Sequence, residues 1–299
     1  MRVKIAVLLS IVILSMTVIT CSTMALIANV AGATGVIDQN TADAISNSAR
    51  AIGTATEEIT PEQEYYIGRA VAANILNSYS IWNGNAALTA YLNNICYAIV
   101  INSPRPNVFN GYRLAILDSS EINAFATPGG HIFVTRGLIG AANSEDALAG
   151  VIAHEIAHIQ LQHSIKSIRN SRFLNAIVVT GVSAAGAVAG MNVTQLTAAF
   201  NESVGEIVQT IVNNGYSQNQ EFEADNTAMA LMASAGYNPS GLVDMLRALS
   251  RVQTAGSGFG KTHPTPAQRI TNAERSIRNF SATDISVRQA RFTTATRNR

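Results

Sequence analysis

Apolar residues recur at helical spacing along most of the chain and at shorter spacing in one stretch, and this change of period outlines the fold. Thr60, Pro61, Glu62 and Gln63 combine a capping residue, a proline at the first helical position and a glutamine at the third, which predicts a helix to about Ser80. A stripe of Leu92, Ile95, Cys96 and Ile99 marks a second helix from about Ala86 to Val100, broken by the loop from Pro104 to Pro106. From Tyr112 the pattern predicts strands at Arg113–Leu117, Glu121–Phe125 and His131–Thr135, the last two joined by a turn at Thr127–Gly130. Asn143 and Asp146 then open a helix whose Leu148, Val151, Ile152, Ile156 and Ile159 carry it to about Ile168. Further helices are expected near 172–190, 194–213, 218–235, 239–251 and 266–280, with Gly236 ending one and a loop from Thr254 to Lys261 preceding the last. The outline is an α+β, mostly helical domain over residues 60–280 with one small β-sheet.

Composition adds a membrane to this picture. Charged residues are 13% against 47% hydrophobic, low for a soluble domain. Arg2 and Lys4 precede an apolar run from Ile5 to Ile19, and the next charge is Asp38. Residues 1–24 therefore read as a signal peptide, a lipoprotein leader acylated at Cys21, or a retained membrane anchor, and residues 25–59 as a tether. The uncharged stretch Ala176–Gly190 is too short for a spanning helix and fits a buried or lid helix. Lys plus Arg number 20 against 19 for Asp plus Glu, which leaves no basic excess for nucleic acid. Residues 281–299 read as a basic, solvated C-terminal tail. Cys21 and Cys96 are the only cysteines, so a disulfide framework is excluded, and Cys96 belongs to a core stripe.

Candidate chemistry centres on His154, Glu155, Ile156, Ala157 and His158 in the middle of the predicted 143–168 helix. Residues four apart share a helix face, so both imidazoles can reach one metal ion, with Glu155 beside them to take a proton from water. A third ligand is needed, and Glu221 in the sequence Glu221, Phe222, Glu223, Ala224, Asp225 is the favoured carboxylate, with Asp225 spaced to hold a ligand imidazole by its second nitrogen. Glu223 should face away from the metal, about 200° around the helix from Glu221. His131 is expected to be structural or surface exposed and His163 structural, lying off the metal-binding face. Ser183 lacks the spacing of a nucleophile elbow, and Gly256, Gly258 and Gly260 follow no strand, so neither a serine hydrolase nor a phosphate cradle is expected.

Four ordered blocks resemble the M48 family of metallopeptidases: Asn123 to Phe133 with Arg136 and Gly137, His154 to His158, Glu221 to Asp225, and His263 to Pro266 with Arg269. The resemblance implies a zincin fold with one Zn2+ per chain, Glu221 as third ligand, and Asn123, Ala124 and Phe125 as an edge with which substrate backbone pairs. It also brings His263 close to the zinc, as an inhibitory fourth ligand or a transition-state donor, with Arg269 a second candidate donor. The implied activity is hydrolysis of internal peptide bonds in envelope proteins, misfolded or unassembled ones among them, by an exported enzyme in the periplasm or anchored facing it. The rival reading is a metal-bearing binding module in which His263 fills the open position; such a module has no need of Glu155.

Overall fold

A computed structural model describes residues 59–167, 201, 204–252, 258–263, 266–277 and 286–297. The chain divides into two compact units, residues 1–59 with 171–196, and residues 60–170 with 197–299. All elements given below belong to the second unit. The leader, the tether, the helix expected at 172–190 and the apolar stretch 176–190 fall outside the described residues.

Helix α1 (Pro61–Ser78) begins with the reciprocal cap that its sequence predicts: Thr60 Oγ1 accepts from the Gln63 amide at 3.2 Å, and Gln63 Oε1 accepts from the Thr60 amide at 2.9 Å. Helix α2 (Ala86–Ile101) follows, and then a sheet of β1 (Arg113–Leu117), β2 (Ala124–Thr127) and β3 (His131–Thr135) in the order β1-β3-β2. β1 runs parallel to β3, from Arg113 opposite His131 to Leu117 opposite Thr135. β2 is antiparallel to β3, from Ala124 opposite Val134 to Thr127 opposite His131.

The second strand starts three residues later than its sequence suggests. The Thr135 amide still donates to the Asn123 carbonyl at 3.0 Å, but the Asn123 amide donates to the Thr135 hydroxyl at 3.0 Å, so a side chain takes over part of the ladder there. A short 3-10 turn at Pro128–Gly130 closes the hairpin, with Gly129 at φ 75.

After α3 (Arg136–Ala141) comes the central helix, α4 (Glu145–Gln160), capped by Ser144, whose hydroxyl accepts from the Ala147 amide at 3.1 Å. Every residue from Glu145 to Ile159 is buried. The larger apolar side chains form the expected stripe, and small residues on the other faces let neighbouring helices close in. Gly150 faces Leu242, and a Cβ there would lie 2.7 Å from the Leu242 Cα.

The helix predicted to reach Ile168 instead breaks at Gln162, whose φ of 54 is left-handed, and a short α5 (His163–Ser167) follows. Gln209–Asn214 is π-helical, ahead of α6 (Gln218–Ser234), α7 (Ser240–Val252), α8 (Phe259–Thr262) and α9 (Pro266–Ile277). Helices α6 and α7 pack on α4, where Leu148, Val151, Ile152 and Ile156 join Met229, Met232, Leu242 and Leu246 in the core.

Residues 281–299 are not simply a solvated tail. Ser286–Thr296 forms helix α10, with Phe292 and Thr296 buried, Arg291 paired to Glu145 and Arg288 paired to Asp146. Positive charge there is complementary to the acidic first turn of α4, which the count of arginines alone could not reveal. Among the described residues, no helix is long and apolar enough to cross a membrane.

Candidate metal centre

Both ends of α4 are held in place. At its start, Glu145 is fully buried and accepts from the Tyr91 hydroxyl at 2.9 Å and from Arg291 Nε at 2.7 Å. At its end, Arg105 Nη1 donates to the Ile159 carbonyl at 3.2 Å while Nη2 pairs with buried Glu64 at 3.0 Å. A cation at a helix C-terminus and carboxylates at its N-terminus both match the helix dipole. The turn carrying His154, Glu155 and His158 therefore lies on a fixed axis.

Helix α6 faces it. Its capping box, Ser217 with Gln220, starts the helix in the register that points Glu221 and Asp225 at α4. His154 Nδ1 stands 2.9 Å from Asp225 Oδ1. The opposite ring nitrogen, Nε2, meets His158 Nε2 at 3.0 Å and His263 Nδ1 at 3.2 Å. Glu221 Oε2 is 3.5 Å from His154 Nε2, and its Oε1 is 3.5 Å from His158 Nε2 and 3.2 Å from His263 Nδ1. One ligand atom from each of His154, His158, Glu221 and His263 lies within 4.8 Å of the others, and all four residues are buried.

This donor set fits a divalent cation. A carboxylate only accepts, so Asp225 requires the proton on His154 Nδ1 and leaves a lone pair on Nε2. Glu155 Oε1 and Glu221 Oε2 are buried without a hydrogen-bond partner. Three imidazole nitrogens and a carboxylate turned toward one point suit zinc.

The electrostatics point the same way. Burial and the Arg269 charge push the His154 imidazole down, but its hydrogen bonds to Asp225 and Glu221 outweigh them and hold it up at about 9, a sign that positive charge is favoured at this position. Burial pushes Glu221 up, yet Arg269 and His263 leave its carboxyl well below the usual range. Burial drives His158 well down and His163 down. Glu155 is raised, by burial first, against the opposing pull of His263 and His154.

Arg269 packs against Glu221 and Asp225. It is fully buried, donates from Nε and Nη2 to Asp225 at 2.8 and 2.6 Å, and forms an ion pair from Nη1 to Glu221 Oε2 at 2.9 Å that lacks hydrogen-bond geometry. A guanidinium so engaged holds two buried carboxylates side by side.

Asn123, Ala124 and Phe125 lie at the sheet edge, since β2 is the outer strand, but all three are buried, and β2 packs against α4 and the π-helical stretch. His131 takes no part in the centre; it stacks on Tyr65 at 5.4 Å.

Three further residues shape the site without a signal in the sequence. Tyr216 stacks on His158 with ring centroids 4.0 Å apart, and its hydroxyl bonds Ser164 at 2.7 Å. Gly215 makes that approach possible: at φ 74 it lies against the Thr262 carbonyl, 2.5 Å from where a Cβ would be. Phe259 stacks on His263 at 4.2 Å. His163, expected to be structural and off the metal-binding face, has Nδ1 2.8 Å from His158 Nδ1 and Nε2 3.2 Å from Glu223 Oε2.

Residues 86–277 match the family model described as peptidase family M48. The chain belongs to that family. Among its relatives, a putative beta-barrel assembly-enhancing protease of Vibrio cholerae is 28% identical over 233 residues, 77% of this chain and 47% of that protein. Metalloprotease LoiP of Escherichia coli is 32% identical over 152 residues, 50% of this chain and 57% of the relative. Mitochondrial metalloendopeptidase OMA1 of Schizosaccharomyces pombe is 29% identical over 170 residues, 54% and 46% of the two chains. The chain thus spans about half the length of these curated relatives. Membership of M48 implies a divalent metal, for which His154, His158 and Glu221 form a candidate site.

Proposed function

We propose that the chain is a zinc-dependent endopeptidase that cleaves internal peptide bonds of envelope proteins, misfolded or unassembled ones among them, with one ion held by His154, His158 and Glu221. The observation that carries this reading is the convergence of those buried donors beside Glu155, a buried carboxyl whose Oε1 has no hydrogen-bond partner. Zinc held by His154, His158 and Glu221 would supply a Lewis acid to polarise the scissile carbonyl and to acidify water. Glu155 takes the proton of the attacking water and later delivers it to the leaving amine. Burial raises its pKa, the direction that suits a carboxyl holding a proton between those two steps. Asp225 and Arg269 orient the ligands from behind.

His263 is the restraint on this site. Its Nδ1 stands among the ligand donors and its Nε2 is 3.5 Å from Glu155 Oε1, so in this conformation it fills space that water and the scissile carbonyl need.

Purified protein incubated with casein, with and without a chelator, tests the reading. Cleavage is expected to stop with chelator and in Glu155→Gln, which keeps its metal, to stop in Glu221→Gln together with metal loss, and to speed up in His263→Ala. Cleavage persisting in Glu155→Gln removes the mechanism, and slower cleavage by His263→Ala makes that ring an assistant instead.

The proposed location is the periplasm, free or anchored there through residues 1–24, with Arg2 and Lys4 left on the cytoplasmic side and residues 60–280 as the catalytic domain. Alkaline phosphatase fused after residue 60 is then active; an inactive fusion beside an active cytoplasmic reporter reverses the orientation.

A further inference from the structure

We propose that His163 and Glu223 are positioning residues that fix the tautomer and ring plane of His158, so that its Nε2 presents a lone pair to the candidate metal centre; this rests on the reading of that centre given above. The chain of contacts dictates the protons. Glu223 Oε2 lies 3.2 Å from His163 Nε2, and a carboxylate only accepts, so that nitrogen carries the hydrogen. A neutral imidazole then accepts at its other nitrogen, and His163 Nδ1 is 2.8 Å from His158 Nδ1. His158 Nδ1 is therefore the donor, and His158 Nε2, 3.5 Å from Glu221 Oε1, is left unprotonated toward the ligand cluster. The plane of the ring is set by two neighbours: Tyr216 lies flat against it at 4.0 Å and 18°, and His163 meets it edge-on at 4.9 Å and 70°.

The backbone makes this contact possible. In a continuous helix, a residue five positions after His158 lies about 140° around the axis, out of reach of its ring. The left-handed turn at Gln162, φ 54, swings His163 back. A non-glycine residue in that region is kept only where its surroundings hold it. Here the Gln162 side chain donates to buried Glu64 at 3.1 Å, the carboxylate that also pairs with Arg105 at the end of α4. His158 thus receives from an imidazole and a carboxylate what His154 receives from Asp225 directly.

The test reads metal affinity, by competition of Zn2+ against a chromophoric chelator, on full-length wild type, His163→Leu, His163→Asn, Glu223→Ala and the Glu223→Ala, His163→Leu double variant. His163→Leu removes the acceptor and should weaken zinc about 10- to 100-fold. His163→Asn, whose side-chain carbonyl takes the place of Nδ1, should restore most of that loss, and the His158 Nδ1 proton should be visible by NMR in wild type and His163→Asn but exchange away in His163→Leu. Glu223→Ala should cost about 2- to 5-fold, as for a half-exposed ionic partner, and nothing more once His163 is Leu. Wild-type affinity in His163→Leu, no rescue by Asn, or a Glu223→Ala effect that persists in the double variant overturns the proposal. Should His163→Leu not fold, Glu223→Ala decides alone, since unchanged affinity there overturns it. A wild type that binds no zinc fails the metal reading itself, and is distinguished by that first measurement.

Discussion

The two histidines of α4 sit one turn apart in the same helix, yet their outer nitrogens are held by opposite kinds of surroundings. His154 is backed by Asp225, which is fully buried and itself clamped by Arg269, also fully buried. His158 is backed by His163, and behind that ring stands Glu223, whose side chain is 52% exposed. A carboxylate shielded from water acts at full strength and is costly to leave unpaired, whereas one bathed in water is screened and inexpensive to lose. The difference teaches that one helix can carry a rigid ligand and an adjustable one, set by how deep the last carboxylate lies.

Breaking the buried arm should have the largest effect. Arg269→Met removes the guanidinium that Glu221 and Asp225 share, and is expected to lower unfolding stability by roughly 3–5 kcal/mol in urea titrations of the metal-free protein. A loss below about 1 kcal/mol, the scale of an exposed pair, would show that the two carboxylates are not charged together and would erase the contrast. Next comes Asp225→Ala, for which zinc affinity should fall about 10- to 100-fold with little dependence on salt. The smallest effect belongs to Glu223→Ala, and it should shrink further between 0.1 and 1 M salt, where screening lengths fall from ~10 to ~3 Å. Equal salt sensitivity of the two variants would mean that depth does not separate the arms.

Periodicity carried most of the fold. Helices α1, α2, α6 and α7 and strands β1 and β3 lie within about two residues of where the spacing of apolar positions puts them, because each buries one face against α4 or the sheet. The four-residue spacings of His154 with His158 and of Glu221 with Asp225 also needed only helix geometry, and the structure brings these residues together. What local pattern could not supply was tertiary. His163 belongs to the site through a single left-handed residue that no apolar period announces, and the helical pattern runs on past it. Arg269 stands out in the sequence only through the family resemblance, and its three nitrogens facing two buried carboxylates could not be read from the pattern of α9. The arginines of residues 281–299 suggest solvent, and only the acidic first turn of α4 shows why Arg288 and Arg291 fold back.

That last helix bears on where the working unit ends. The family match stops at residue 277, after every proposed ligand, orienting residue and base has been supplied. A shortened gene ending there would encode all of the chemistry and omit α10. Glu145, fully buried at the head of the ligand-bearing helix, would keep the Tyr91 hydroxyl and lose the guanidinium of Arg291 that neutralises it. The limit of recognisable relatedness therefore falls before the contacts that Ser286–Thr296 makes with the head of α4, and a protein trimmed at residue 277 is expected to be less stable to urea than one that keeps them.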